Sequence, residues 1–143
     1  MEFFRNINRQ VASIIATPAL NGTLIIAARV LMACIFITAG LGKIGAGYAG
    51  TQGYMESVGL PGGLLPLVIL LEVGGGLALV LGFQTRLAAL ALAIFSIISA
   101  FVFHSAADQM QQIMFMKNLA MAGGLLAFTV FGAGRLSLDA EQR

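Results

Sequence analysis

The stretch ILLEVGGGLALVLGF, Ile69 to Phe83, places one carboxylate, Glu72, inside a run of residues that is otherwise suited to lipid. About 20 apolar residues in a helix cross a hydrocarbon core of about 30 Å. A charge at the bilayer centre costs about 2.5 to 3.5 kcal/mol on insertion scales. The stretch therefore indicates a membrane-spanning helix, and it makes Glu72 a candidate functional residue.

The whole chain has the composition of a membrane protein. Of its 143 residues, 59% are hydrophobic and only 10% are charged, against roughly 25% charged in an ordinary soluble domain. The mean hydropathy is +0.94. The apolar runs are continuous and lack the alternation of period 2 that a β-barrel requires. We predict an all-α membrane protein, an antiparallel four-helix transmembrane bundle, with spans at about 24–43, 64–83, 87–105 and 113–132.

The basic residues predict the orientation of this bundle. Arginines lie before the first span, between the second and third spans and after the fourth, whereas the other two connections carry Glu56 and Asp108. By the positive-inside rule, both termini of this multi-pass chain face the cytoplasm. Because topology accounts for the net charge of +2, no nucleic-acid partner is expected. The arginines are Arg5, Arg9, Arg86, Arg135 and Arg143.

The segment 1–20 is predicted to be a short amphipathic helix on the cytoplasmic membrane surface. Its apolar residues recur at helical spacing and its arginines fall on another face. The alternative is a partly disordered tail. Because Pro18 and the following Asn-Gly pair interrupt the pattern, we place the transmembrane domain at 21–134 and a cytoplasmic tail at 135–143. A second short surface helix is predicted at 51–58, between the first two spans.

Polar residues within the predicted spans form a candidate site. With a rise of about 1.5 Å per residue, Glu72 lies roughly 12 Å and Lys117 roughly 6 Å below the outer boundary. Lysine side chains extend along the helix axis, so basic groups on other helices can converge on Glu72 in the outer half of the bundle. Arg29 can approach Glu72 from the cytoplasmic side. The candidates for ligand binding or proton relay are Arg29, Lys43, Glu72, His104, Lys117 and Asn118.

Glycines around Glu72 predict close helix packing at the same level. Gly75 and Gly76 share its face by the i+3, i+4 rule, and Gly74 and Gly82 belong to a stripe of small residues. Two interpretations of the polar groups stay open. They form a pocket for a ligand, or they form an ion pair that holds the bundle in register, with the shallow lysines extending to the headgroups.

Cysteine and histidine counts limit the chemistry of the chain. Cys34 is the only cysteine and His104 the only histidine. These counts exclude an internal disulfide, a C-x-x-C pair and a bis-histidine haem, and they argue against a protein-only zinc site. We therefore expect no metal. No self-contained catalytic or redox centre is visible, so any electron transfer would need a bound quinone or a partner's cofactor.

Several positions of the chain match a known family of membrane proteins. They are Arg29, Phe36, Gly40 and Lys43, then Glu72, Gly75, Gly76, Leu81-Gly82-Phe83 and Thr85-Arg86, then FMKN at 115–118 and GAGRLSLD at 132–139. At these positions the chain resembles the DoxX family of small bacterial inner-membrane proteins, and most closely its YqjF-like branch. The terminal motif GAGRLSLD departs from the family at Ala133, which replaces a proline.

The resemblance implies four transmembrane helices and an association with quinone-linked oxidoreductases. In some relatives it also implies a membrane anchor for soluble redox and thiol-handling enzymes. We therefore expect a quinone-binding or accessory membrane subunit of a redox system. The alternatives are a scaffold that recruits a soluble redox enzyme and a transporter of a small solute or protons. The expected partners are the lipid bilayer, a redox partner protein and a second copy of the chain in a homodimer.

Overall fold

The computed structural model describes residues 1–142, so Arg143, one of the arginines that predict the orientation, lies outside the described residues. Regular structure within that range is entirely helical, and four helices are long and apolar enough to cross a membrane. The predicted all-helical, four-span fold is confirmed. The helices are α1 (Glu2–Ile15), α2 (Pro18–Gly42), α3 (Ala46–Ser57), α4 (Gly62–Leu81), α5 (Thr85–Phe103) and α6 (Gln109–Phe131), followed by a 3₁₀ turn at Leu138–Gln142.

Two helices begin earlier than their sequence patterns predict. Helix α2 begins at Pro18, where the sequence predicted a break. Proline is tolerated in the first turn of a helix, because the backbone N–H that it lacks would have no acceptor within the helix. Helix α3 begins at Ala46 instead of residue 51. Gly45, with φ +65°, turns the chain sharply between α2 and α3, and glycine adopts that conformation without steric cost.

Helix α1 stands apart from the apolar core. None of its residues is buried, and its aromatic residues Phe3 and Phe4 are 69% and 73% exposed. It meets the bundle at α2, and Arg5 lies 4.0 Å from Glu2 on its polar face. The predicted helix is present, and its contact with the membrane surface stays a prediction.

The four spans pack in sequence order. Helix α2 packs against α4, α4 against α5, and α5 against α6. Small residues occupy much of the shared core, which allows the helix backbones to approach closely in a bilayer. The core consists of Ala33 and Phe36 from α2, Leu79 from α4, Ala89, Leu92 and Ala93 from α5, and Ala122 and Leu125 from α6.

The bundle has two ends that differ in structure. The terminal end comprises the start of α2, the turn 82–84 between α4 and α5, the end of α6 and the tail 132–142. The opposite end carries α3 and the connection between α5 and α6. On that side Tyr54 of α3 packs against Phe103 at the end of α5, with 5.4 Å between ring centroids. The tail folds back onto the bundle, since Ala133 is only 4% exposed.

Helix α4 changes its geometry at the residue that the sequence singled out. Leu70–Gly74, which contains Glu72, form a π turn between two α-helical segments, Leu65–Ile69 and Gly75–Leu81. Such turns interrupt α-helices in single steps and are frequent at functional sites. The π turn rotates the following residues relative to the face expected for a regular α-helix.

The three glycines after Glu72 face different directions, because successive residues of a helix are about 100° apart. A Cβ added to Gly76 would lie 2.6 Å from Ile37 of α2, and one added to Gly75 would lie 3.1 Å from Leu92 of α5. Gly74 is exposed, and a Cβ there would meet only a leucine of its own helix. Two of these glycines therefore pack against different helices, whereas Gly74 packs against none.

Candidate functional site

Glu72 is paired with a single basic residue, Lys43. The Lys43 Nζ donates to Glu72 Oε1 at 3.0 Å and Oε2 at 2.8 Å, and also to the carbonyl oxygen of Ala39 at 3.1 Å. The Glu72 side chain is 6% exposed and the Lys43 side chain 22%. Lys43 follows the last residue of α2, and its side chain turns back along the helix into the bundle. The pair thus joins α2 to the π turn of α4.

Gly40 permits the approach of helices on which this pair depends. A Cβ at Gly40 would lie 2.6 Å from Val73 Cγ2 and 3.0 Å from Glu72 Cβ. The backbone of α2 therefore lies directly against the π turn. Because Lys43 follows Gly40 by three residues, close to one helical turn, its side chain projects from the same side of α2 as this contact.

Lys117, near the start of α6, is placed differently from the prediction. Its Nζ donates to the thioether sulfur of Met114 at 3.3 Å, within the same helix. It makes no ion pair with Glu72 among residues 1–142. The predicted convergence of Lys117 on Glu72 is therefore absent, because its ammonium turns to a residue of its own helix. The neighbouring Asn118 is buried, with 7% of its surface exposed, and its part in a binding site stays a prediction.

His104 lies at the opposite end, where it joins two spans. Its Nδ1 is 2.7 Å from the side-chain oxygen Oε1 of Gln111. This contact connects the residue after α5 to the first turns of α6. The imidazole is thus engaged in the connection between these helices and does not contact Glu72.

Arg29 binds backbone carbonyls at the terminal end. Its Nη1 donates to the carbonyl of Ala133 at 3.0 Å and its Nη2 to the carbonyl of Val80 at 3.2 Å. The last carbonyls of a helix have no intrahelical donor, so the end of α4 and the adjacent tail offer acceptors within reach of the buried guanidinium. Arg29 therefore joins α2, α4 and the tail, and it does not approach Glu72 as predicted.

Gly82 is required by the same arrangement. It ends α4 with φ +67°, and a side chain there would overlap both the Arg29 guanidinium and Ser137. The stripe of small residues predicted helix packing at Gly82. The structure adds a positive φ and a close approach of the tail, both of which favour glycine.

Asp139 caps helix α5 from the tail. Its Oδ1 accepts from the backbone N–H of Gln84 at 2.7 Å and its Oδ2 from that of Thr85 at 2.9 Å, while its own N–H donates to Gly82 at 2.8 Å. Burial of the Asp139 carboxyl acts to raise its pKa, but these N–H donors and the charge of Arg29 outweigh it, so the pKa is lowered. The Thr85 hydroxyl lies beside this carboxylate without reaching hydrogen-bond geometry.

Arg86 provides the corresponding contact at the end of α6. Its Nη1 donates to the carbonyl of Thr129 at 2.8 Å and to that of Val130. A cation at a helix C-terminus satisfies carbonyls that lack intrahelical donors and is favoured by the helix dipole. From the sequence, Arg86 and the terminal SLD motif indicated only the membrane orientation and the family resemblance, and their contacts with helix ends were missed. The signals for these contacts were an aspartate shortly after the last span and an arginine in the first turn of α5.

Two cavities lie at the terminal end, and neither borders Glu72. One of about 610 Å³ lies between the turn 82–84, the end of α6 and the tail, and a smaller one of about 230 Å³ lies between α2 and α6. Within residues 1–142, no three histidine, cysteine or acidic residues lie close enough together to hold a metal ion. The candidates thus divide into a Glu72–Lys43 pair inside the bundle and a charged cluster at the terminal end.

Comparisons with known proteins agree with this architecture. The DoxX family model matches residues 24–105. The inner membrane protein YqjF of Escherichia coli (strain K12) is 55% identical over 116 residues, which cover 80% of this chain and 88% of that protein. The inner membrane protein YphA of the same organism is 33% identical over 129 residues, or 85% and 91% of the two chains. No solved structure matches the chain significantly. With four membrane-spanning helices and these relatives, the chain belongs to the DoxX family of inner-membrane proteins.

Proposed function

We propose that the protein is a quinone-binding or accessory membrane subunit of a redox system, in which the Glu72–Lys43 pair interacts with a quinone headgroup. The observation that carries this proposal is a buried carboxylate, held by one lysine, at a π turn in the middle of a span. An ionisable residue within the membrane is a functional candidate by default. Its position on a π turn adds independent support, because such turns are frequent at functional sites.

The chemistry of the two side chains suits a quinone. Reduction of a quinone to a quinol takes up two electrons and two protons, and a partner's cofactor would supply the electrons. The ammonium of Lys43 can donate a hydrogen bond to a carbonyl oxygen, exchanging for it the bond to Ala39. The carboxylate of Glu72 can hold or release a proton beside it. Because the Lys43 side chain is 22% exposed, its ammonium is the accessible member of the pair.

A photoreactive short-chain ubiquinone analogue tests this proposal on the protein in lipid nanodiscs. We expect labelling that an excess of unlabelled quinone prevents and that Glu72→Gln reduces at least fivefold. Glu56→Gln is the matched control, since Glu56 is an exposed carboxylate on α3. Folded protein is selected by size exclusion before labelling. Labelling that resists competition, or that is equal in both variants, would contradict quinone binding at Glu72.

A membrane scaffold is the second candidate, and α1 favours it. The helix leaves all its side chains exposed, and it precedes α2 at the end of the bundle that carries the tail. We expect a soluble redox partner to be captured by the full chain and lost on removal of residues 1–15, with the bundle's unfolding temperature unchanged. Capture that persists without those residues would exclude α1 as the recruiting element.

A further inference from the structure

We propose that the terminal end binds one anionic phospholipid. Its phosphate would occupy the larger cavity beside Arg86 and Arg135, and one acyl chain would lie in the smaller crevice between α2 and α6. This inference is independent of the quinone proposal, because it concerns the opposite part of the bundle from the Glu72–Lys43 pair.

The larger cavity is suited to a phosphate. It has a volume of about 610 Å³ and is bordered by two arginines. Arg135 is exposed and makes neither an ion pair nor a side-chain hydrogen bond within residues 1–142. Arg86 uses Nη1 for the carbonyls of α6, while its Nη2 lies beside Gly132, where an added Cβ would be 3.4 Å away. Among the described residues that border the cavity there are two arginines and one carboxylate, Asp139, so this part of the lining carries one excess positive charge.

The smaller crevice adjoins this cavity and is apolar. It has a volume of about 230 Å³ and shares three lining residues with the larger cavity, Phe131, Gly132 and Gly134. It runs along α6 from Phe131 to Gly124, the level at which Met32 of α2 reaches α6. Its remaining lining residues are Ile25, Gly124, Ala127 and Phe128.

The order of these two spaces fits an amphiphile with an anionic headgroup. The arginines lie where α5 begins and α6 ends, which is the level of lipid headgroups for helices of spanning length. Basic pockets between transmembrane helices bind anionic headgroups. A free phosphate would leave the apolar crevice unused, and a zwitterionic headgroup would bring a positively charged amine beside the two arginines. Charge complementarity therefore selects an anionic phospholipid.

Native mass spectrometry of the purified full-length protein, with phosphatidylglycerol added in detergent, tests the site. An arginine near a membrane surface contributes about 1 kcal/mol to the binding of anionic lipid, so Arg135→Gln should weaken retention about fivefold. Ala127→Leu, which fills the crevice, should weaken it by at least as much. Both residues are exposed, so both variants should keep the wild-type unfolding temperature. Arg9→Gln removes an equal charge from α1 and should retain the lipid.

Three outcomes would overturn the proposal. The first is equal retention by wild type and both site variants. The second is an equal loss with Arg9→Gln, because binding would then depend on overall charge alone. The third is recognition of a free anion instead of a phospholipid. Complete displacement of the lipid by inorganic phosphate at millimolar concentration would show this, and so would an Ala127→Leu variant that retains the lipid as well as the wild type does.

Discussion

Glu72 and Lys43 illustrate how one residue determines the environment of another inside a membrane. The carboxylate is almost fully buried and its two oxygens are both bound by the same ammonium. Removal of one partner from a buried pair leaves an uncompensated charge, which costs far more than removal of both. The pair is therefore expected to affect stability as a unit, whatever ligand it binds.

Lys43→Met should lower the free energy of unfolding by about 3 kcal/mol, since Glu72 would stay buried without a partner. The double variant Lys43→Met/Glu72→Leu should recover most of that loss. Thermal unfolding in detergent, followed by circular dichroism, measures both effects. Lys117→Met is the control, and it should have a much smaller effect because, within residues 1–142, the Lys117 ammonium is hydrogen-bonded to a thioether and pairs with no carboxylate. Equal losses for the two lysines would contradict the importance of the pair.

Asp139 makes the start of α5 sensitive to acid. Its pKa is lowered in the folded protein, so the capping contribution is fully present above the ordinary aspartate pKa of about 3.9 and is lost as the pH falls through the lower folded value. Asp139→Ala should cost about 1 kcal/mol at neutral pH. The difference between variant and wild type should shrink below about pH 4. Unfolding midpoints measured from pH 7 downward test this, and a constant difference would contradict it.

At the scale of the element, the three glycines after Glu72 in α4 have different contacts. Gly75 and Gly76 contact α5 and α2 respectively, whereas Gly74 faces outward. Regular helical spacing predicted Gly75 and Gly76 on the face of Glu72 and placed Gly74 in a packing stripe with Gly82, but no neighbouring helix meets that stripe at Gly74. The contact that tests this arrangement most directly is on the partner helix, at Gly40.

Gly40→Ala should destabilise the bundle by about 1 to 3 kcal/mol, because the new methyl group would meet Val73 and the backbone of the π turn. Gly123→Ala in α6 is the matched control. A Cβ there meets no atom within 4 Å, so that substitution should be neutral or stabilising by up to about 1 kcal/mol. Unfolding in the same detergent compares the two. Similar effects would mean that α2 does not lie directly against the π turn.

For the whole molecule, the tail 132–142 connects elements that are distant in the chain. Arg29 binds it from α2, Asp139 caps α5, and Leu136 would meet a Cβ placed at Gly22. These contacts bring the start of α2, the turn 82–84 and the tail together at the terminal end. The positive-inside rule predicts that this end faces the cytoplasm.

Cysteine labelling of intact cells tests that orientation. In a Cys34→Ser background, Glu56→Cys should react with a membrane-impermeant maleimide, because Glu56 is exposed on α3 at the opposite end. Glu2→Cys should react only after the cells are opened. The reverse pattern would show that the termini lie outside.

The sequence by itself determined the fold class, the four spans and the family, because hydrophobic length and composition are properties of each segment alone. It also identified Glu72, since a carboxylate in an apolar run is visible without any neighbour. Only the tertiary structure decided which basic residue pairs with it. Depth along a helix limits the possible partners, but the rotation of each helix and the π turn select Lys43 over Lys117 and Arg29. The binding of Arg29, Arg86 and Asp139 to backbone groups was likewise decided by the tertiary structure, because the free N–H and C=O groups at helix ends come within reach only when the helices pack side by side and the tail folds back.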